Sequence, residues 1–437
     1  MPEAVYRMMT VLCALVSPLP VGTNLGMLHL LWMLVSGQML STRGAVIPGL
    51  SACGLSARAV RRAWAAVGQG AWSSAALLAR WREMVVAEGH WQVQTHGGYH
   101  PVGVDVTAFW RPRLQECPTT HYSAEAGRAL PAIPVGLIGR VGRVGDQRLA
   151  LPLALVRTDA ADPRASTHER RLVRVAVQQC QEDDALVLDA GFGLTLLQEE
   201  GATRYVVRCA KNATFRRADA PPYRGRGRPP TRGALVRPLP RAYRDHVLPA
   251  TPPDRVETWM EDGAVLRAEV WTDLVRADAT PEPDTPTITV VAVHDPRYRE
   301  PLLLASPLTV TPREVHALYR DRWPVEQLPL AAKQMLGAAR QFVSAPETCQ
   351  RLPALALLAG AILSYAAATA PAIPTGFWDR RPQPTPGRLR RALARHPFPH
   401  DFPLPARLRV KKSPTAHLPT GFWHQRGRRM PLQEVAA

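Results

Sequence analysis

Tyr319, Arg322, Glu326 and Lys333 are separated by two, three and six residues, in the stretch Tyr-Arg-Asp-Arg-Trp-Pro-Val-Glu-Gln-Leu-Pro-Leu-Ala-Ala-Lys. One carboxylate flanked by cations and an aromatic suits a metal ion beside a phosphate backbone. On a continuous helix, at about 100° per residue, the four positions fall within roughly 60° of one another. Pro324 and Pro329 interrupt the stretch, and each removes a helical donor and favours a kink. Pro324 also suits the first turn of a separate helix carrying Glu326, with Tyr319 and Arg322 left on the preceding turn. Taken alone, the same residues fit an amphipathic surface helix with solvated charges.

Two further acids stand in unusual settings. Asp105 lies within Val-Gly-Val-Asp-Val-Thr, where a carboxylate at a strand centre is costly unless paired or metal-bound. Asp189 ends Leu-Val-Leu-Asp-Ala-Gly-Phe-Gly, at the C-terminal end of a short apolar strand, a usual place for active sites in α/β sheets. Cutting a phosphodiester needs an activated nucleophile and a stabilised leaving oxygen. Two divalent ions about 4 Å apart, held by carboxylates, supply both. Each acid also has a local reading: Asp105 as a capped turn acid, Asp189 as the N-cap of the following helix. Asp183, Asp184, Glu199 and Glu200 read as ordinary acids near element ends.

The Tyr-Arg-Glu-Lys spacing resembles the signature of the DDE transposases of bacterial insertion sequences, in the branch called insertion-sequence family four. Asp105, in Asp-x-Thr with Thr107, resembles the first acid of that triad. Asp189, in Asp-x-Gly-Phe, resembles the second, and Glu326 the third. The likeness runs in order from about residue 100 to 345. It implies a ribonuclease-H-like catalytic core with a β-rich insertion between the second and third acids. It implies two Mg2+ ions, with Mn2+ able to substitute, on Asp105, Asp189 and Glu326. Tyr319, Arg322 and Lys333 would hold phosphates at the transposon end. The branch cuts one strand, forms a hairpin, reopens it and joins the end to target DNA. Trp259 or Trp271 would stack on a flipped base, or both are simply packed. The implied partner is double-stranded DNA, as transposon ends and target, bound by a homodimer in the bacterial cytoplasm at the nucleoid.

The elements that must position these residues follow from the rest of the chain. It has 437 residues and a net charge of +18, with 54 Lys plus Arg against 36 Asp plus Glu. That excess favours a polyanionic partner. Only Lys211, Lys333, Lys411 and Lys412 are lysines, so part of the arginine content reflects a GC-rich genome. The six cysteines show no Cys-x-x-Cys and no paired Cys/His spacing, which argues against structural zinc and fits a reducing compartment. Residues 8–42 and 352–378 lack charge. Pro18, Pro20, Gly22, Asn24 and His29 interrupt the first, and the helical part of the second ends near Pro371, below a comfortable span. Buried core helices, and no membrane partner, are expected.

The expected fold class is α/β, flanked by helical N- and C-terminal regions. Residues 1–95 read as a helical DNA-binding region, with Ser56 capping a basic helix that carries Arg58, Arg61 and Arg62, or as a plain helical bundle with basic solvent-facing residues. Residues 96–210 read as the first part of the core. Strands are expected at 102–109, 133–138 and 149–156, a helix at 168–182, a strand at 185–188, a helix at 193–198 and a strand at 204–209. Residues 211–310 form the β-rich insertion. Its basic run, with Arg224, Arg226 and Arg228, would touch DNA phosphates or serve as a solubilising loop. Residues 311–345 return to the core with the helix of the third acid, and 346–437 form a helical region and a Pro/Arg-rich tail. Pro-Thr-Gly-Phe-Trp occurs at 374–378 and 419–423, with no role assigned. The rival functional readings are a non-catalytic, decayed or domesticated DNA-binding protein, and a nuclease that cuts without joining.

Overall fold

The sequence His-Pro-Val-Gly-Val-Asp-Val-Thr-Ala-Phe-Trp is apolar or β-branched at most positions, as a strand covered on both faces requires. The computed structural model describes residues 1–159, 161–223, 225, 230–279 and 285–410, and there this segment forms the strand His100–Trp110. It runs antiparallel to Arg128–Val144 and parallel to Asp184–Leu188. Gln147–Arg157 pairs antiparallel with the outer side of Arg128–Val144, and Tyr205–Arg208 lies parallel to Asp184–Leu188. Across the sheet these five strands therefore stand in the order third, second, first, fourth, fifth. The helix Ala165–Gln179 makes the crossing from the third to the fourth, and Leu194–Glu199 the next. Each expected core element is present, with its ends adjusted.

The β-rich segment extends this sheet. Leu302–Ser306 pairs antiparallel with Tyr205–Arg208, followed outward by Ile288–His294 and Ala264–Arg276. Among the described residues one 13-stranded sheet results. Arg224, Arg226 and Arg228, and the second Pro-Thr-Gly-Phe-Trp, lie outside the described residues.

The helices Glu3–Val16, Thr23–Val35, Ala57–Gln69, Ser74–Glu88 and Pro346–Thr369 share one apolar cluster. Thr23–Val35 is apolar all round and accordingly buried nearly all round. Ser56 caps Ala57–Gln69 by accepting the Ala59 N–H at 3.4 Å, and leaves Arg58 and Arg61 exposed. Pro346–Thr369 corrects one expectation. It has 24 residues, enough in length and composition to cross a membrane, because it begins upstream of the uncharged stretch and carries Glu347 and Arg351 in its first turns. Its most apolar window is 83% buried inside the protein. All six cysteines are unpaired.

The third acid reaches the first through a glycine. A Cβ on Gly103 would stand 2.5 Å from Val325 Cγ2, so glycine lets the helix that carries Glu326 lie close on the strand of Asp105. Gly103→Ala is expected to push that helix away and lower stability by about 1–3 kcal/mol. A fall in the thermal unfolding midpoint checks it.

Candidate active site

The helix Pro312–Arg320 opens with a capping box. Thr311 Oγ1 accepts the Glu314 N–H at 3.3 Å, and Glu314 Oε2 accepts the Thr311 N–H at 2.8 Å. Asp321 ends it, and a new helix, Trp323–Leu330, starts with Pro324 in its first turn. The single continuous face is thus not formed, and the alternative carried by Pro324 is. A proline ring there clashes with the carbonyl four residues back, which stops the first helix. Pro329 likewise withholds an N–H, and the chain passes into a π-helical turn, Ala331–Met335, that carries Lys333.

The bend nevertheless gathers the motif around the acids. Arg322 ion-pairs with Glu326, and its guanidinium carbon lies 5.4 Å from the centre of the Tyr319 ring. Lys333 Nζ donates to Thr107 Oγ1 at 2.6 Å and stands 5.3 Å from the centre of the Phe109 ring. Thr107 is two residues beyond Asp105, hence on the same face of the strand. Tyr319 is buried against Leu304, Val315 and Leu318, so its ring supports Arg322 more than it faces solvent.

Charge couples the three acids. Burial, aided by the charges of Glu326 and Asp189, pushes the Asp105 carboxyl up to about 6, against the Val106 N–H and Arg322. Burial holds the Lys333 ammonium down to about 8, although Asp105 pulls the other way. Burial also works against the Arg322 charge, but Tyr319, Glu326 and Asp189 outweigh it and raise its pKa.

Neither local alternative for the acids is realised. Asp105 is in mid-strand, not in a turn. Asp189 Oδ1 accepts the Gly191 N–H at 2.9 Å, while Gly193 is the N-cap of Leu194–Glu199. The comparison acids have other partners: Asp184 is buried against Arg140 at 2.5 Å, and Glu199 and Glu200 pair with Arg170 and Arg174.

Hard carboxylate oxygens, one of them desolvated and crowded by like charge, are a donor set that suits a divalent cation. Among the described residues no three His, Cys, Asp or Glu side chains are already gathered as a metal-binding group. Glu326 is turned onto Arg322 instead.

Two neighbours escaped the sequence reading. Burial and the charge of Asp189 raise the carboxyl of Glu169, on the helix Ala165–Gln179. Its spacing to the buried Leu172, Val173 and Ala176 was the available signal that it faces the sheet. Asp321, 3% exposed, accepts from His96 Nε2 at 2.7 Å and from Arg148 at 2.9 Å. These contacts pin the turn between the two motif helices to the sheet.

A cavity of about 790 Å³ adjoins the motif, lined by Arg148, Arg208, Arg297, Tyr298, Arg322 and Trp323 among others. Tyr298 is 71% and Trp323 57% exposed. The expected stacking tryptophans are not free. Trp271 is fully buried and donates to the Thr251 and Pro252 carbonyls at 3.1 and 3.0 Å, because the face of its strand opposite Leu266, Ala268 and Val270 is covered there by the core of Phe215, Leu274 and Val290. Trp259 is half-buried and donates to Glu261 at 3.0 Å.

Residues 146–344 match the family model described as a transposase DDE domain. No curated protein matches the chain. The matched stretch includes Asp189, Tyr319, Arg322, Glu326 and Lys333, and begins after Asp105. DNA is the substrate that such a domain implies, and divalent metal ions are its general requirement. The segment is similar to a transposase DDE domain and supports reading the chain as a DDE transposase.

Proposed function

We propose that the chain is a hairpin-forming, cut-and-paste transposase of insertion-sequence family four, with Asp105, Asp189 and Glu326 holding two Mg2+ ions, or Mn2+ in their place. The observation that carries this reading is that the charges of Glu326 and Asp189, from two separate segments, act on the buried carboxyl of Asp105 on a third. The strand order around His100–Trp110 supports a ribonuclease-H-like core. Such ions activate the attacking oxygen and stabilise the leaving one.

The chain's own groups do the rest. The Gly191 N–H orients Asp189, and the strand fixes Asp105. Arg322 and Lys333 neutralise phosphates of the transposon end, with Tyr319 behind Arg322. The cavity between Tyr298 and Trp323 takes an unpaired nucleotide, since its exposed aromatics offer stacking and its arginines offer charge. Residues 1–95 add DNA contacts through Arg58 and Arg61, and the active form is a homodimer on DNA at the nucleoid.

The test is incubation with a supercoiled plasmid carrying the native flanking DNA, with and without Mg2+, comparing wild type with Glu326→Gln. Metal-dependent excision that disappears in the variant is expected. Specific end binding without cutting by wild type would favour the decayed, non-catalytic reading. Cutting without joining would favour a plain nuclease.

A further inference from the structure

We propose a second anion-binding site, for a phosphate of the DNA backbone, in the cavity of about 490 Å³ between residues 110–114 and 340–344. It rests on the DNA-binding part of the reading above and not on cleavage. Two buried polar side chains from distant segments line this cavity without full hydrogen bonding. Gln341 is 5% exposed, and neither its amide oxygen nor its amide nitrogen has a partner. Arg111, also 5% exposed, donates one terminal nitrogen to the Val343 carbonyl and lies beside the Cys349 thiol, while its Nη1 has no full hydrogen-bond partner.

Buried donors are nearly always satisfied in native proteins, so two unpartnered groups on residues that line one cavity point to a ligand that completes them once it enters. Arg113 and Arg340 are exposed, and among the described residues no acid lines the cavity. Three guanidinium groups with an amide donor select an oxyanion, and paired donation from arginine suits phosphate geometry.

Position identifies which phosphate. Trp110 lies five residues beyond Asp105 on one strand, about 16 Å away at strand rise. That is roughly five nucleotide steps at about 3.4 Å each. The cavity is at the C-terminal end of the strand, the end of the parallel strand Asp184–Leu188 that Asp189 follows. A DNA strand leaving the acids in this direction would lay its backbone across Arg111 and Gln341. The loop is held ready, since the Phe342 N–H donates to the Gly44 carbonyl at 3.3 Å and ties it to the helical region.

The experiment measures fluorescence anisotropy of a labelled duplex with the full chain, in chelator, across a range of NaCl. The double variant Arg113→Ala/Arg340→Ala changes only surface side chains. It is expected to weaken binding about tenfold and flatten the log–log salt slope by about one to two. Gln341→Leu is expected to keep or raise the thermal midpoint of the free chain, by removing an orphaned amide, and still to weaken binding without changing the slope. Wild-type affinity and slope in all variants would overturn the proposal. Inorganic phosphate is the second probe. If it raises the thermal midpoint of wild type but not of the double variant, while DNA binding is unchanged, the cavity takes free phosphate only and the DNA assignment falls. Binding in chelator is read independently of cleavage, so a chain that binds here but does not cut when Mg2+ is supplied would sink the transposase reading and leave this one standing.

Discussion

Asp105→Asn is expected to abolish metal-dependent cleavage, by a factor on the order of 10³ or more, and to make the metal-free chain more stable at pH 7. The two effects have one cause. Asp105 is desolvated and faces the charges of Glu326 and Asp189, which raise its carboxyl from 3.8 to about 6. The folded chain therefore holds that proton more tightly than the unfolded chain does. Between about pH 4 and 6 the native state binds more protons, so stability falls as pH rises through this window, and the full cost persists above it. Two units correspond to about 3 kcal/mol at most, which an uncharged asparagine avoids. Thermal unfolding in chelator at pH 4.5 and 7 reads this directly, as a gap between variant and wild type that widens with pH. A divalent ion should then raise the wild-type midpoint by more than the variant's, because only the wild type relieves its repulsion by binding. A variant less stable than wild type at pH 7, with equal gains from metal, would remove Asp105 from the site.

The candidate acids stand out in the sequence because each carries a steep local requirement. A carboxylate inside Val-Gly-Val-Asp-Val-Thr has few innocent explanations, and an aspartate at the end of a short apolar strand has a known place in α/β sheets. The core strands were legible for a related reason, since apolar runs bounded by glycine leave little choice of element. The break in the motif helix was readable from Pro324 as an alternative, but not the π-helical turn after Pro329, which depends on what the helix packs against. What could not be read were contacts between distant segments. Asp321 is held by His96, 225 residues away, and by Arg148, 173 residues away. No spacing rule reaches that far. The choice between stacking and packing for Trp271 stayed open for the converse reason: an aromatic on a strand reads the same whether it faces the core or the solvent until its neighbours across the sheet are known. The joining of Leu302–Ser306 to Tyr205–Arg208 is likewise a matter of register, and so the β-rich segment read as an insertion without showing that it prolongs the core sheet.

Lys333→Ala is expected to weaken DNA binding about tenfold and to flatten the salt slope by about one, as the loss of one phosphate contact requires. Its titration makes a sharper test. Burial lowers its ammonium from 10.5 to about 8, against the pull of Asp105. Between those values the unfolded chain binds the additional proton, so Lys333 costs stability below pH 8 and the cost is released as pH rises through the window. DNA affinity moves the opposite way, because a neutral amine cannot replace a counterion. Wild-type binding in chelator is therefore expected to decline from pH 7.5 to 9, while Lys333→Arg, whose guanidinium stays charged throughout, holds its affinity. A phosphate placed against Nζ opposes the effect of burial and restores the charge, so binding above pH 8 must take up a proton. Calorimetry in buffers of different ionisation enthalpy would detect that uptake in wild type and its absence in the arginine variant. Parallel decline of the two proteins with pH would place the phosphate elsewhere and leave Lys333 as a support for Thr107 and the strand of Asp105.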